Sequence, residues 1–140
     1  MTTLADARIV DLPKIERREG SITPVEGGTA TLPFEIERVY YLYDLVAGAS
    51  RGGHAHRRLQ QLVVAAMGGF TVVLDDGVSR QRYELSRADR GLYIPPMIWR
   101  ELVDFTSGAV CIVLASRHYE ESDYIRDYED FGAEKRASGT

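Results

Sequence analysis

An all-β fold is what the sequence predicts, on two observations. From Arg8 onward, short apolar or alternating runs are separated by turn residues, a pattern of many short strands rather than long helices. The dipeptide Gly68-Gly69 and the run Asp75-Asp76-Gly77, both made of residues that accept the positive φ of tight turns, stand between successive hydrophobic runs and read as consecutive antiparallel hairpins.

Taken in order, the predicted strands are residues 8–12 and 21–26, then 37–43, where Arg38, Tyr40 and Leu42 alternate with Val39, Tyr41 and Tyr43. Residues 54–56 follow. The apolar segments 60–67 and 70–74 flank Gly68-Gly69, and 79–85, 91–94, 101–105 and the apolar run 109–115 complete the series. An antiparallel chain of this length closes as a sandwich, jelly roll or barrel, which protects its strand edges and leaves an interior pocket. From Tyr119 the composition turns acidic with interspersed aromatics, predicting a short helical or irregular cap. Residues 1–131 are read as one domain and 132–140 as a disordered tail.

At 140 residues, 44% hydrophobic and 27% charged, the chain is long enough for one core, and its formal charge of -4 does not favour nucleic acid. An anionic ligand therefore needs a local basic patch. The lone Cys111 lies in an apolar run with no disulfide partner, the N-terminus has no signal-peptide pattern, and no apolar run approaches membrane-spanning length. A cytoplasmic protein without membrane attachment is expected.

Two of the three histidines, His54 and His56, lie one residue apart and so face the same way along a strand. Such a pair suits either a metal or proton transfer. The spacing resembles the first cupin motif, with five residues between Gly48 and His54, and Gln61 in the acidic position with six residues between it and Gly68. Pro95-Pro96-Met97-Ile98-Trp99-Arg100 resembles the second, Pro-x-Gly-x-x-His, with Arg100 in the place of the last histidine. Two of four ligands are replaced by an amide and a permanent cation, so no metal and no cofactor are expected and the pair is read as proton chemistry.

The resemblance becomes specific across Arg38 to Asp44, Arg51 to His56, Gln60-Gln61, Gly91 to Trp99 and Ser122 to Tyr128. Together these segments resemble the sugar-nucleotide 3,4-ketoisomerases of the RmlC-like cupin superfamily. That resemblance implies a homodimeric jelly roll acting without metal on a dTDP-linked 4-keto-6-deoxy sugar, with a C3 proton removed and one returned to C4 through an enediol. His54 aligns with the base of the related 3,5-epimerases, whose motif reads Arg-Gly-x-His, and is assigned the C3 proton. His56 is expected to shuttle a proton, bind the sugar or orient the site, and Tyr40 to donate to the enolate oxygen. Arg38 and Arg51, with Arg126 as a further candidate, are assigned to the pyrophosphate. Gln61, Trp99 and Arg100 complete the expected substrate site. Some family members carry histidine where this chain has Arg100; the substitution is read as leaving one face served, with dTDP-3-keto-6-deoxy-D-glucose as product. The alternatives are a 3,5-epimerase, a non-catalytic nucleotide-sugar-binding cupin and, third, a metal-dependent cupin oxygenase.

Overall fold

The computed structural model describes residues 1–139, and alternation along its strands decides what each face does. The chain runs through β1 (Arg8–Asp11), the small pair β2 (Ile15–Arg17) and β3 (Gly20–Ile22), β4 (Arg38–Leu42), β5 (Arg51–His56), β6 (Gln61–Met67) and β7 (Phe70–Asp75). It continues through β8 (Arg80–Leu85), β9 (Arg90–Ile94), β10 (Trp99–Val103), β11 (Val110–Ala115), the two-residue β12 (Tyr124–Ile125) and the helix α1 (Tyr128–Ser138). Two antiparallel five-stranded sheets, ordered β1-β9-β6-β11-β4 and β12-β5-β10-β7-β8, face one another. This is the jelly-roll arrangement expected.

Odd and even positions of the same strands feed different cores. Val63, Ala65, Val72, Leu74, Leu92, Ile94, Leu102, Cys111 and Val113 point between the sheets. Leu62, Val64 and Leu114 face outward and pack with Leu32 and Phe34 of the loop before β4. On the outside of the other sheet, Ala55, Trp99 and Ile125 pack beneath Phe131 of α1.

Three expectations are corrected. Gly68-Gly69 is not a hairpin turn, because β6 pairs with β9 and β11 whereas β7 pairs with β8 and β10. The chain crosses there from one sheet to the other. Gly68 takes φ 65°, and a Cβ there would sit 2.5 Å from the Thr106 hydroxyl oxygen, so the crossing needs glycine for both conformation and space. The Asp75-Asp76-Gly77 turn does join a hairpin, β7 with β8. The strand expected at 101–105 lies instead at Trp99–Val103, and the pairs β2–β3 and β12–β5 were not foreseen.

Residues 132–138, expected to be disordered, continue α1, and only Thr140 of that tail lies outside the described residues. The helix is well specified locally. The Asp127 side chain caps it by accepting from the Asp130 amide at 3.0 Å, acidic Glu129 and Asp130 occupy the first turn, and basic Lys135 and Arg136 the last. Phe131 and Lys135, four residues apart, are both buried against the sheet. Lys135 Nζ donates to the Met97 carbonyl at 2.6 Å, and the Met97 amide donates to the His56 carbonyl at 2.7 Å. Met97 holds φ 60° where the second cupin motif has glycine, so these two bonds fix a backbone conformation unfavourable to a side-chain-bearing residue.

Candidate active site

A cavity of about 370 Å³ opens between the sheets, walled by inward positions of β4, β5, β6 and β10 and by the segment leading into and through β12. Of the nine residues singled out from the sequence, Arg38, Tyr40, Arg51, His54, Gln61, Arg100 and Arg126 line it. Alternation explains the set. Tyr40 and Arg38 share the inward face of β4, Arg100 is paired in register with His54, and Gln61 opens the inward series of β6.

Trp99 does not line the cavity, which corrects its expected place beside the substrate. Being adjacent to Arg100 on one strand, it must face the other way. Its indole lies against Gly53, where any Cβ would collide with the ring, and packs edge-on to Tyr128 at 5.3 Å between centroids. His56 also stands back from the cavity, only 1% exposed beneath its wall. Tyr119 and Tyr124 line the cavity without having been singled out, and Asp123, 3% exposed, lies behind it.

His54 keeps one ring nitrogen free. Gly52 backbone accepts a hydrogen bond from its ring, while Nε2, buried, has no partner among the described residues. Burial first, then the Arg100 and Arg126 charges, lower its pKa to about 3, so the imidazole is neutral. Beneath it His56 meets it edge-to-face at 4.9 Å, and burial, Arg100 and His54 lower its pKa to about 2. The Tyr124 ring covers both, at 5.3 Å from His54 and 4.3 Å from His56.

Across the cavity, on the facing sheet, stands Tyr40. The Gln61 amide donates to its oxygen at 2.9 Å, leaving the phenolic hydrogen free to be donated elsewhere. Burial raises its pKa, which keeps it a neutral donor. Arg100 donates to the Gln61 side-chain oxygen and, at 2.9 Å, to the Ile98 carbonyl. It makes no ion pair among the described residues, its Nε is unpartnered, and burial brings its pKa down to about 10, still a cation at neutral pH. A buried positive charge with no carboxylate in contact, acted on by Asp123 only from a greater distance, is costly unless an anion forms there.

At the mouth, the Arg38 guanidinium stacks over Tyr40 and Tyr119, at 5.0 and 5.7 Å, with its Nε unpartnered. Arg51 is exposed at the rim. Arg126 lies over Tyr124 at 4.2 Å and is held by the Glu121 carboxylate through bonds of 2.7 and 2.8 Å. Three arginines thus supply the local basic patch that the chain's net negative charge requires for an anionic ligand. The cupin metal position does not fit a divalent ion, because the Gln61 oxygen is engaged by Arg100 and the guanidinium would repel the metal.

Comparison with known proteins agrees with this architecture. Residues 5–136 match the family described as "FdtA: WxcM-like, C-terminal". The chain is 41% identical over 124 residues, 89% of its length and 88% of the relative's, to the TDP-4-oxo-6-deoxy-alpha-D-glucose-3,4-oxoisomerase of Aneurinibacillus thermoaerophilus. Its fold is similar to that of QdtA, a sugar 3,4-ketoisomerase from Thermoanaerobacterium thermosaccharolyticum solved with TDP, at a TM-score of 0.92 and 36% identity over 99% of this chain and 100% of that one. It is also similar to WlaRB, a TDP-quinovose 3,4-ketoisomerase from Campylobacter jejuni, at a TM-score of 0.87 and 38% identity over 91% and 98% of the two chains. By match, coverage and site, the chain belongs to the FdtA (WxcM-like, C-terminal) family, that of the sugar-nucleotide 3,4-ketoisomerases.

Proposed function

We propose that this chain converts TDP-4-keto-6-deoxy-D-glucose into a TDP-3-keto-6-deoxyhexose. The observation that carries the reading is the pairing, across one cavity, of a neutral imidazole with an unpartnered Nε2, a buried guanidinium without an ion-pair partner among the described residues, and a free phenolic donor. His54 Nε2 removes the proton from C3, which is acidified by the neighbouring ketone. The electron pair forms the C3–C4 double bond, and negative charge moves onto O4. Arg100 and Tyr40 stabilise that charge, Tyr40 supplying a proton to O4. The O3 proton then passes to the Tyr40 phenolate, the electron pair returns through the double bond, and C4 takes its proton from the restored phenol; the proton held on His54 returns to the phenolate through solvent, so that atoms and charge balance. Arg38, Arg51 and Arg126 bind the pyrophosphate.

Ring stereochemistry modifies one expectation. In a gluco ring the hydrogens on C3 and C4 are axial on opposite faces, so one face serving both carbons gives the axial C4 hydroxyl. The equatorial product, 3-keto-6-deoxy-D-glucose, requires a proton at C4 from the side opposite His54. Tyr40 projects from the facing sheet and is suited to that delivery, and similarity to a relative named for TDP-quinovose favours the same product.

The test is incubation with TDP-4-keto-6-deoxy-D-glucose in D2O, followed by NMR. A 3-ketone with an equatorial C4 hydroxyl and deuterium on C4 is expected. Exchange without any 3-ketone would reject the isomerase reading and favour an epimerase, and an axial hydroxyl would reject delivery by Tyr40. His54→Asn is expected to reduce turnover about 10²- to 10⁴-fold while TDP still binds.

The partner in solution is proposed to be a second copy. Val39 and Tyr41 are exposed along β4, at the edge of its sheet, with Tyr43 exposed just beyond its end, and Ile15 and Ile22 are exposed on the β2–β3 hairpin. Light scattering of the purified protein should give a dimer mass. Among the described residues no helix is long and apolar enough to cross a membrane, and the buried thiol Cys111 suits the cytoplasm.

A further inference from the structure

The Asp123 carboxylate has no place in the steps above, yet it is buried directly behind the base. It comes from the segment 121–125, at whose end β12 adds to the edge of β5, pairing Tyr124 with His56. The carboxylate is held rigidly. Oδ1 accepts from the Arg58 amide at 2.9 Å and Oδ2 from the Leu59 amide at 3.2 Å, and the exposed Arg58 side chain approaches Oδ1 at 3.7 Å. Two backbone N–H donors thus fix the orientation of both carboxylate oxygens.

Oδ2 also stands 3.6 Å from His56 Nδ1, just beyond hydrogen-bond range. Neither ring nitrogen of His56 has another partner among the described residues, although both are buried. A buried imidazole N–H without an acceptor is disfavoured, and the nearby carboxylate can only accept. His56 therefore carries its hydrogen on Nδ1, directed at Asp123, which leaves Nε2 as a lone pair. A catalytic contact that is long in the free enzyme commonly tightens in the complex.

We propose that Asp123 is a positioning residue that fixes the tautomer and orientation of His56 and, through that ring, the seat of His54. Its negative charge also offsets the positive charge that His54 acquires with the C3 proton. Without it, the imidazolium would form beside buried Arg100 with no counter-charge. The proposal rests on the ketoisomerase reading for the identity of the proton, but its geometry stands apart from that reading.

Two measurements test it. In ¹⁵N NMR of the unaltered protein, with His56 assigned by loss of its signals in His56→Asn, Nδ1 should be the protonated nitrogen; protonation on Nε2 overturns the proposal. In D2O with TDP-4-keto-6-deoxy-D-glucose, Asp123→Asn should exchange the C3 hydrogen about 10- to 100-fold more slowly, the range for outer-shell partners of a working histidine. TDP affinity should stay within about twofold, given that the arginines at the mouth are not tethered to Asp123. Unchanged exchange, or equal loss of exchange and TDP binding, would overturn it. Absence of C3 exchange in the unaltered enzyme would reject the ketoisomerase reading instead, while the tautomer still reports on Asp123. If Asp123→Asn does not fold, the tautomer alone decides.

Discussion

Arg100 donates to Gln61, and Gln61 donates to Tyr40, so a buried cation is linked through one amide to the phenol on the sheet facing His54. The amide's polarity sets the direction of this chain. With its oxygen turned to the guanidinium, its nitrogen must face the phenol, and Tyr40 is left as donor to the cavity.

Arg100→Met should break this arrangement without enlarging the cavity greatly. Turnover is expected to fall about 10²- to 10³-fold, the cost of one oxyanion donor, with TDP affinity little changed. Because the Arg100 charge helps lower the pKa of both His54 and His56, both should titrate closer to their ordinary range in the variant. Steady-state kinetics, calorimetry with TDP and NMR titration check the three parts. Full turnover would remove Arg100 from the mechanism.

The pH dependence has a definite sign. His54 and His56 have pKa values of about 3 and about 2 in the folded protein, below the ordinary 6.5, so the unfolded chain binds more protons. Stability is therefore complete above about pH 6.5 and declines as pH falls toward 3, by up to about 1.4 kcal/mol per pH unit for each histidine. Chemical denaturation at several pH values should show a shallower acid decline for His56→Asn. In the stable range kcat/KM should lack an acid limb near pH 6.5, because His54 is already the free base; a limb there would contradict its desolvation.

Lys135→Met tests whether α1 supports the floor of the site. The substitution keeps the aliphatic stem but leaves the Met97 carbonyl without its donor, in a turn already at an unfavourable φ. A loss of about 1–3 kcal/mol is expected by urea denaturation. Because the same turn leads into β10, turnover should fall more than TDP affinity. An unchanged stability would mean that the buried lysine contributes nothing net.

Much of the site was legible in the sequence because period-two alternation needs only neighbouring residues. It placed Arg38 with Tyr40 on a shared face, as the burial along β4 bears out, and it set His54 beside His56, whose rings meet at 4.9 Å. The same rule, applied across residues 99 and 100, would have separated Trp99 from Arg100. Asp123 and Tyr124 gave no such signal, since β12 has only two residues and its orientation comes from pairing with β5. The glycines at 68–69 were ambiguous for another reason: a tight turn within a sheet and a crossing between sheets ask for the same backbone freedom. The tail after Phe131 is polar in composition, and its order depends on burying Phe131 and Lys135 against a sheet laid down by distant residues.

The crossing at Gly68 also governs how the chain must fold. With β6 and β7 sent to different sheets, β1 waits for β9, β4 for β11 and β5 for β10. Loops must close before these contacts repay them, which places jelly rolls among the slow folders, on the order of milliseconds to seconds. The wall of the cavity closes last of all, since Tyr124 and Arg126 come from the final segment before α1. A chain emerging from the ribosome therefore holds most of its barrel before it holds a working site, and competence arrives only with the docking of its last twenty or so residues.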